Sequence, residues 1–182
     1  MSAATKTVQV GAAAILAVAF AMPGFAAELA HAKLRDAGGK AVGDVDLMQT
    51  PAGVLLRVRL NGLPPGEHAF HIHEVGKCEQ PFTSAGGHYN PGKHPHGYQA
   101  GEGHAGDMPN LHVPQDGSLA VEILNAKVTL DDGKPHSLFD SDGSSIVIHA
   151  KADDYRSQPA GDAGGRIACG VIERSAGGGA AK

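Results

Sequence analysis

The stretch Leu56-Arg57-Val58-Arg59-Leu60 alternates aliphatic and charged side chains with a period of two. Successive side chains of a strand point to opposite faces, so three aliphatic groups face inward and two arginines face water. That is a half-buried β-strand. Turn chemistry bounds it on both sides, with Pro51-Ala52-Gly53 before it and Asn61-Gly62-Leu63-Pro64-Pro65-Gly66 after it. Working outward, similar short segments lie at 29–35, at 40–50 after Gly38-Gly39, and at 68–73. Others follow at 119–124, 127–130, 145–150 and 167–172. The chain shows no repeat, no heptad and no amphipathic helix. Seven or eight short strands in one domain predict a sandwich or barrel. The 26 glycines, 11 prolines and absence of tryptophan agree with a turn-rich β protein.

The ends read differently. Lys6 precedes a largely apolar run over residues 8–21, interrupted only by Gln9, and small residues follow at Gly24, Ala26 and Ala27. About 14 residues is short of the roughly 20 that span a bilayer. We read residues 1–26 as a signal peptide, 27–174 as the domain and 175–182 as a flexible C-terminal tail. Export is expected to carry the domain into an oxidising compartment, with no stable membrane association. The net charge of −4 gives no reason to expect nucleic acid as a partner. Two cysteines in an oxidising compartment pair in only one way, so Cys78 and Cys169 are expected to form a disulfide.

Two long segments resist strand assignment. Residues 74–116 hold eight glycines and five histidines, and residues 153–165 form a second polar, Gly-rich connection. Loops this long in a compact domain are usually functional or disordered. Something other than an apolar core must hold the first one.

The histidines supply a candidate. His71 and His73 lie two apart on an expected strand, so both rings share a face while Phe70 and Ile72 point to the core. Paired imidazoles on a rigid strand chelate copper or zinc. His96, His104 and Asp107 offer ligands of the type zinc takes in closed structural sites, given one more nitrogen, and zinc would cross-link the long loop. The run Ile146-Val147-Ile148 delivers His149 at a strand end, and Asp153 just beyond it suits hydrogen bonding to metal-bound rings.

Five motifs in order then resemble the copper/zinc superoxide dismutase family, of the bacterial secreted type. They are Phe70-His71-Ile72-His73-Glu74, Gly87-His88-Tyr89-Asn90-Pro91, His104-Ala105-Gly106-Asp107, the segment 147–154 around His149 and Asp153, and the segment 165–172 around Arg166 and Cys169. The resemblance implies an all-β fold, an antiparallel Greek-key β-sandwich or barrel of about eight strands with two long functional loops. It implies copper on His71, His73, His88 and His149, and zinc on His88, His96, His104 and Asp107, one ion of each per subunit. His88 would bridge the two ions. Arg166 would guide the anion, Asp153 would join the two sites, and Cys78–Cys169 would match the family's disulfide.

The implied activity is disproportionation of superoxide to dioxygen and hydrogen peroxide by Cu(II)/Cu(I) cycling, in a monomer or homodimer. His94 stands beside His96 and either could reach zinc; His96 is preferred because Gly97 follows it, as in the family. Lys77, Lys93, Lys151 and Arg156 are unranked candidates for an outer guiding field. The alternative is a non-catalytic periplasmic copper/zinc-binding module, which needs neither a bridging His88 nor Arg166. A copper-only dismutase has no use for His96, His104 and Asp107. His68 is expected to be structural, and His31, His112 and His136 solvated.

Overall fold

A computed structural model describes Met1 and residues 29–99 and 101–175. The expected leader, apart from Met1, and the expected tail after Ser175 lie outside the described residues. Among the described residues nine strands run in chain order: β1 Leu29–Asp36, β2 Ala41–Thr50, β3 Gly53–Asn61, β4 Gly66–His68, β5 Phe70–His73, β6 Leu111–Val113, β7 Ser118–Asn125, β8 Ser145–His149 and β9 Arg166–Arg174. Seven of them form one antiparallel sheet in the order β5-β8-β9-β1-β2-β3-β7, and β4 pairs with β6 in a separate ribbon. Within that sheet β9-β1-β2-β3 is a Greek-key arrangement, three consecutive strands with a distant one returning beside the first. Among the described residues no helix is long and apolar enough to cross a membrane.

The opening stretch behaves as its alternation requires. Val54, Leu56, Val58 and Leu60 are buried, while Arg57 and Arg59 stand outside, where Arg57 reaches Glu122 and Arg59 reaches Asp44 and Asp46. Exposed pairs of this kind contribute only about 0–1 kcal/mol each. Burial of the aliphatic face, at about 1.5–3 kcal/mol per large side chain, decides the register. One core gathers side chains from β1, β2, β3, β5, β6, β8 and β9, so the long sheet curls around it. Where β1 and β2 pair irregularly after Leu34, Gly43 sits at φ +155, and a Cβ there would stand 2.3 Å from the Arg59 carbonyl oxygen. Only glycine allows that approach.

Three expectations are corrected. The segment 68–73 is not one strand: at Ala69 the chain passes from β4 to β5, which lie in different sheets. The Ala69 N–H donates to the Lys151 carbonyl and its own carbonyl accepts from the His149 N–H. Residues 127–130 form no strand; Val128 and Leu130 are buried, but the only ladder contact there is a single bridge from Thr129 to Ser137. Alternation in that segment reports burial without a continuous ladder. Finally, the long segment 74–116 does contain a strand, β6, whose Leu111 and Val113 face the core.

Candidate metal centre

Strand β5 is an edge of the large sheet, and its outer side is laced by the long loop. The Ile72 N–H donates to the Gly106 carbonyl, the Tyr89 N–H to the Ile72 carbonyl and the Glu74 N–H to the Gly87 carbonyl. Isolated bridges pair His71 with Asp107 and His73 with His88. This covering removes the exposed edge and carries His88 and Asp107 to the histidines of β5. All four residues of β5 are buried, so the pleat has two dry faces. Phe70 and Ile72 enter the apolar core; His71 and His73 enter a polar pocket. From the next strand, His149 joins them where the β8–β9 register shifts after Ile148.

Two groups of side chains converge. His71, His73, His88 and His149 bring one ligand atom each within 4.8 Å of one another, as do His88, His96, His104 and Asp107, all of them buried. His88 belongs to both. Its Nδ1 lies 2.9 Å from Asp107 Oδ1, while its Nε2 is buried without a hydrogen-bond partner. The His71 and His88 ring centroids are 3.9 Å apart.

Hydrogen bonds define the free lone pairs. His71 Nε2–H donates to Asp153 Oδ2 at 2.9 Å, which leaves its Nδ1 as a bare acceptor, buried and unpartnered. His73 Nδ1–H donates to the Gly86 carbonyl at 3.1 Å, so its Nε2 lone pair faces His149 Nε2 at 3.3 Å. Orphaned buried acceptors of this kind cost roughly 1–3 kcal/mol each. A cation among them removes the cost, and four imidazole nitrogens suit copper. In the second group, Asp107 Oδ1 lies 2.9 Å from His88 Nδ1, 3.0 Å from His96 Nδ1 and 3.4 Å from His104 Nδ1. Three imidazoles and a carboxylate form a closed set that suits tetrahedral zinc.

Around the ligands the carboxylates are held ionised. Burial pushes Asp107 and Asp153 toward the neutral form, but the histidines around each outweigh it and keep both well below the usual carboxylate range. Asp107 Oδ2 also accepts the N–H groups of Gly97 and His104, each at 2.9 Å. Asp153 Oδ1 takes His96 Nε2 at 3.0 Å, so this one carboxylate touches a histidine of each group. Gly161 makes room for it: at φ +67, a Cβ there would stand 1.8 Å from Asp153 Oδ1. Desolvation draws His88 down to about 4 and His149 to about 3, so both rings are neutral at pH 7, the state metal ligation needs. His96 goes the other way. Burial disfavours its cation, but bonds to Asp107 and Asp153 raise it to about 9.

Arg166 pairs with His149 across the β8–β9 ladder. Its guanidinium donates to the Phe82 carbonyl at 2.5 Å and the Gly86 carbonyl at 2.6 Å. The Gly86 oxygen is also the acceptor for His73, so Arg166 and His73 share one carbonyl. Cys78 and Cys169 form a disulfide with a Cα–Cα distance of 5.7 Å, tying the start of the long loop to β9.

His94 does not join either group: it is exposed and lies 3.5 Å from Glu102. His68 is buried between the His149 and Pro64 carbonyls. His31 lies 3.6 Å from Glu173 and His112 lies 3.5 Å from Glu67; His136 Nδ1 donates to the Lys127 carbonyl. Asn110 and Gln158, which no sequence pattern singles out, touch the backbone of Asp153 and His96. Their signal is proximity across two loops, which a linear pattern does not carry.

Residues 41–172 match the family described as copper/zinc superoxide dismutase (SODC). The chain is 51% identical over 146 residues to superoxide dismutase [Cu-Zn] 1 of Aquifex aeolicus, an alignment covering 79% of this chain and 86% of that protein. The Cu/Zn superoxide dismutase of Brucella abortus superposes with a TM-score of 0.66 at 32% identity, over 80% of this chain and all of the other. A SOD-like protein from Bacillus subtilis superposes with a TM-score of 0.74 at 40% identity, over 78% and 96% respectively.

Proposed function

The chain belongs to the copper/zinc superoxide dismutase family, and from that premise we propose that it disproportionates superoxide to dioxygen and hydrogen peroxide at the buried histidine centre. The observation that carries this reading is the double life of His88. One nitrogen meets Asp107, and the other is buried and unpartnered in a ring that groups with His71, His73 and His149. A passive metal store has no need of a ring shared in this way.

Bound at His71, His73, His88 and His149, copper supplies one-electron chemistry, and at His88, His96, His104 and Asp107 zinc supplies a fixed charge without redox change. The protein's own residues do the rest. His88 Nε2 is the atom at which a proton is held and released during turnover, while its Nδ1 end stays anchored beside Asp107. Asp153 fixes the tautomers of His71 and His96 by accepting from both Nε2–H groups. Arg166 orients the anion. Two of its N–H groups are spent on the Phe82 and Gly86 carbonyls, which hold the guanidinium still and leave its other donors for a small oxyanion. Burial of the four copper-group histidines keeps bulk water from their free nitrogens. The Cys78–Cys169 bridge and the leader-like residues 1–26 support a periplasmic site of action, with residues 27–174 as the working domain.

The test is metal analysis with a superoxide assay on wild type and His149→Ala. Wild type is expected to hold about one copper and one zinc per chain and to be active; the variant should lose copper and activity and keep zinc. Full activity in the variant would remove the copper assignment.

A further inference from the structure

Two loops meet behind the zinc group, and each grips the other with one amide. Gln158, in the second loop, accepts the His96 N–H on its Oε1 at 2.9 Å and donates from its Nε2 to the His96 carbonyl at 3.0 Å. Its side chain thus satisfies both main-chain groups of His96, as a neighbouring strand would. Asn110, in the first loop, does the same to Asp153: Nδ2 donates to the Asp153 carbonyl at 2.9 Å and Oδ1 accepts its N–H at 2.8 Å. The two gripped residues are themselves joined, His96 Nε2 to Asp153 Oδ1 at 3.0 Å. Besides the two amides, the loops are joined by the Gln99 N–H donating to the Tyr155 carbonyl at 3.1 Å and the Asn110 N–H donating to the Tyr155 hydroxyl at 2.7 Å, but among these contacts only Gln158 holds the main chain of His96 itself.

We infer that Gln158 is a positioning residue of the zinc group: its amide holds the His96 backbone so that the ring reaches Asp107 and Asp153 together, with Asn110 as the reciprocal half of the clasp. The inference rests on His96 being a zinc ligand. The geometry explains why a single ring can keep Nδ1 at 3.0 Å from Asp107 and Nε2 at 3.0 Å from Asp153. Both contacts fail if the backbone slides or turns. Side-chain rotamers alone cannot restore both, because the two ring nitrogens are rigidly related.

The chain already contains an internal comparison. Asn90 grips His94 in the same reciprocal way, at 2.9 and 3.0 Å, yet His94 lies on the surface outside both groups. If the effect is positioning of a ligand, loss of Gln158 should matter to zinc and loss of Asn90 should not.

The experiment uses the full mature chain as Gln158→Ala, Gln158→Met, Asn90→Ala and His96→Ala. Zinc affinity is read by chelator competition, the zinc-site geometry by the visible spectrum of the cobalt(II)-substituted protein, and the copper site by its copper(II) spectrum. Both Gln158 variants are expected to lose about 10- to 100-fold in zinc affinity and to alter the cobalt spectrum, with the copper spectrum unchanged. Met keeps the volume, so an equal loss assigns the effect to the hydrogen bonds. Wild-type zinc affinity in both Gln158 variants, an equal loss in Asn90→Ala, or simultaneous collapse of the copper spectrum overturns the clasp. Retention of zinc by His96→Ala would instead remove the ligand assignment on which it rests.

Discussion

His71 Nε2 and Asp153 Oδ2 lie 2.9 Å apart with both side chains wholly shielded from solvent. This contact settles which nitrogen of His71 is free, because a carboxylate accepts and so requires the proton on Nε2. Asp153 does the same for His96 with its other oxygen. One acid on the second loop therefore sets the tautomers of a histidine in each metal group.

Replacing that acid tests the link. Asp153→Asn keeps the shape but offers one acceptor and one NH2, so one of the two histidines must lose its donor contact. Zinc affinity is expected to fall about 10- to 100-fold, with copper binding less affected. Chelator competition for each metal separately checks it; undiminished zinc binding would show that the carboxylate is dispensable.

Arg166→Glu reverses the charge beside the centre and abandons two carbonyls. Copper content should remain near one per chain, while the superoxide rate falls by at least about 10-fold and its dependence on salt changes sign. Stability should drop by about 1 kcal/mol per lost bond, since the Phe82 oxygen keeps the Ala85 N–H and the Gly86 oxygen keeps His73 Nδ1–H as donors. Arg166→Lys, which keeps the charge but lacks the fork, should recover salt dependence and not the full rate. An unchanged rate in the Glu variant would remove Arg166 from the reaction.

Acid and base should act oppositely on the metal-free chain. His88 and His149 are depressed to about 4 and 3, below the ordinary value of 6.5. The unfolded chain then binds more protons between those values, and stability falls as pH drops from about 6.5 toward 3–4. His96, raised to about 9, contributes stability that is complete below 6.5 and is lost as pH climbs through 9. Urea midpoints of the metal-free protein at pH 4.5, 6.5 and 9 are expected to peak at the middle value. A midpoint independent of pH would contradict the burial of these rings.

The disulfide carries two jobs. Its 91-residue separation is worth about 4–5 kcal/mol on the chain-entropy argument, so Cys169→Ser should lower the urea midpoint accordingly. It also anchors the segment whose Phe82 and Gly86 carbonyls hold Arg166. The superoxide rate per bound copper should therefore fall in this variant at temperatures where it stays folded. An unchanged rate would show that Arg166 is held without the bridge.

The sequence alone determined what is written in local periodicity and residue chemistry. Alternation through Arg57 and Arg59 set which face of β3 is buried; the two-residue spacing of His71 and His73 put both rings on one side of β5; two cysteines allowed one disulfide. Each depends on neighbours along the chain, where backbone geometry is nearly fixed. Tertiary structure decided the rest. His94 and His96 differ little as a sequence, and only the fold of the loop buries one and leaves the other exposed. Residues 127–130 alternate like a strand but find no continuous ladder, and 111–113 find one inside a loop. Gln158 and Asn110 acquire their partners only when two distant loops are packed together, since hydrogen bonds across 62 and 43 residues follow from closure of the fold and not from spacing.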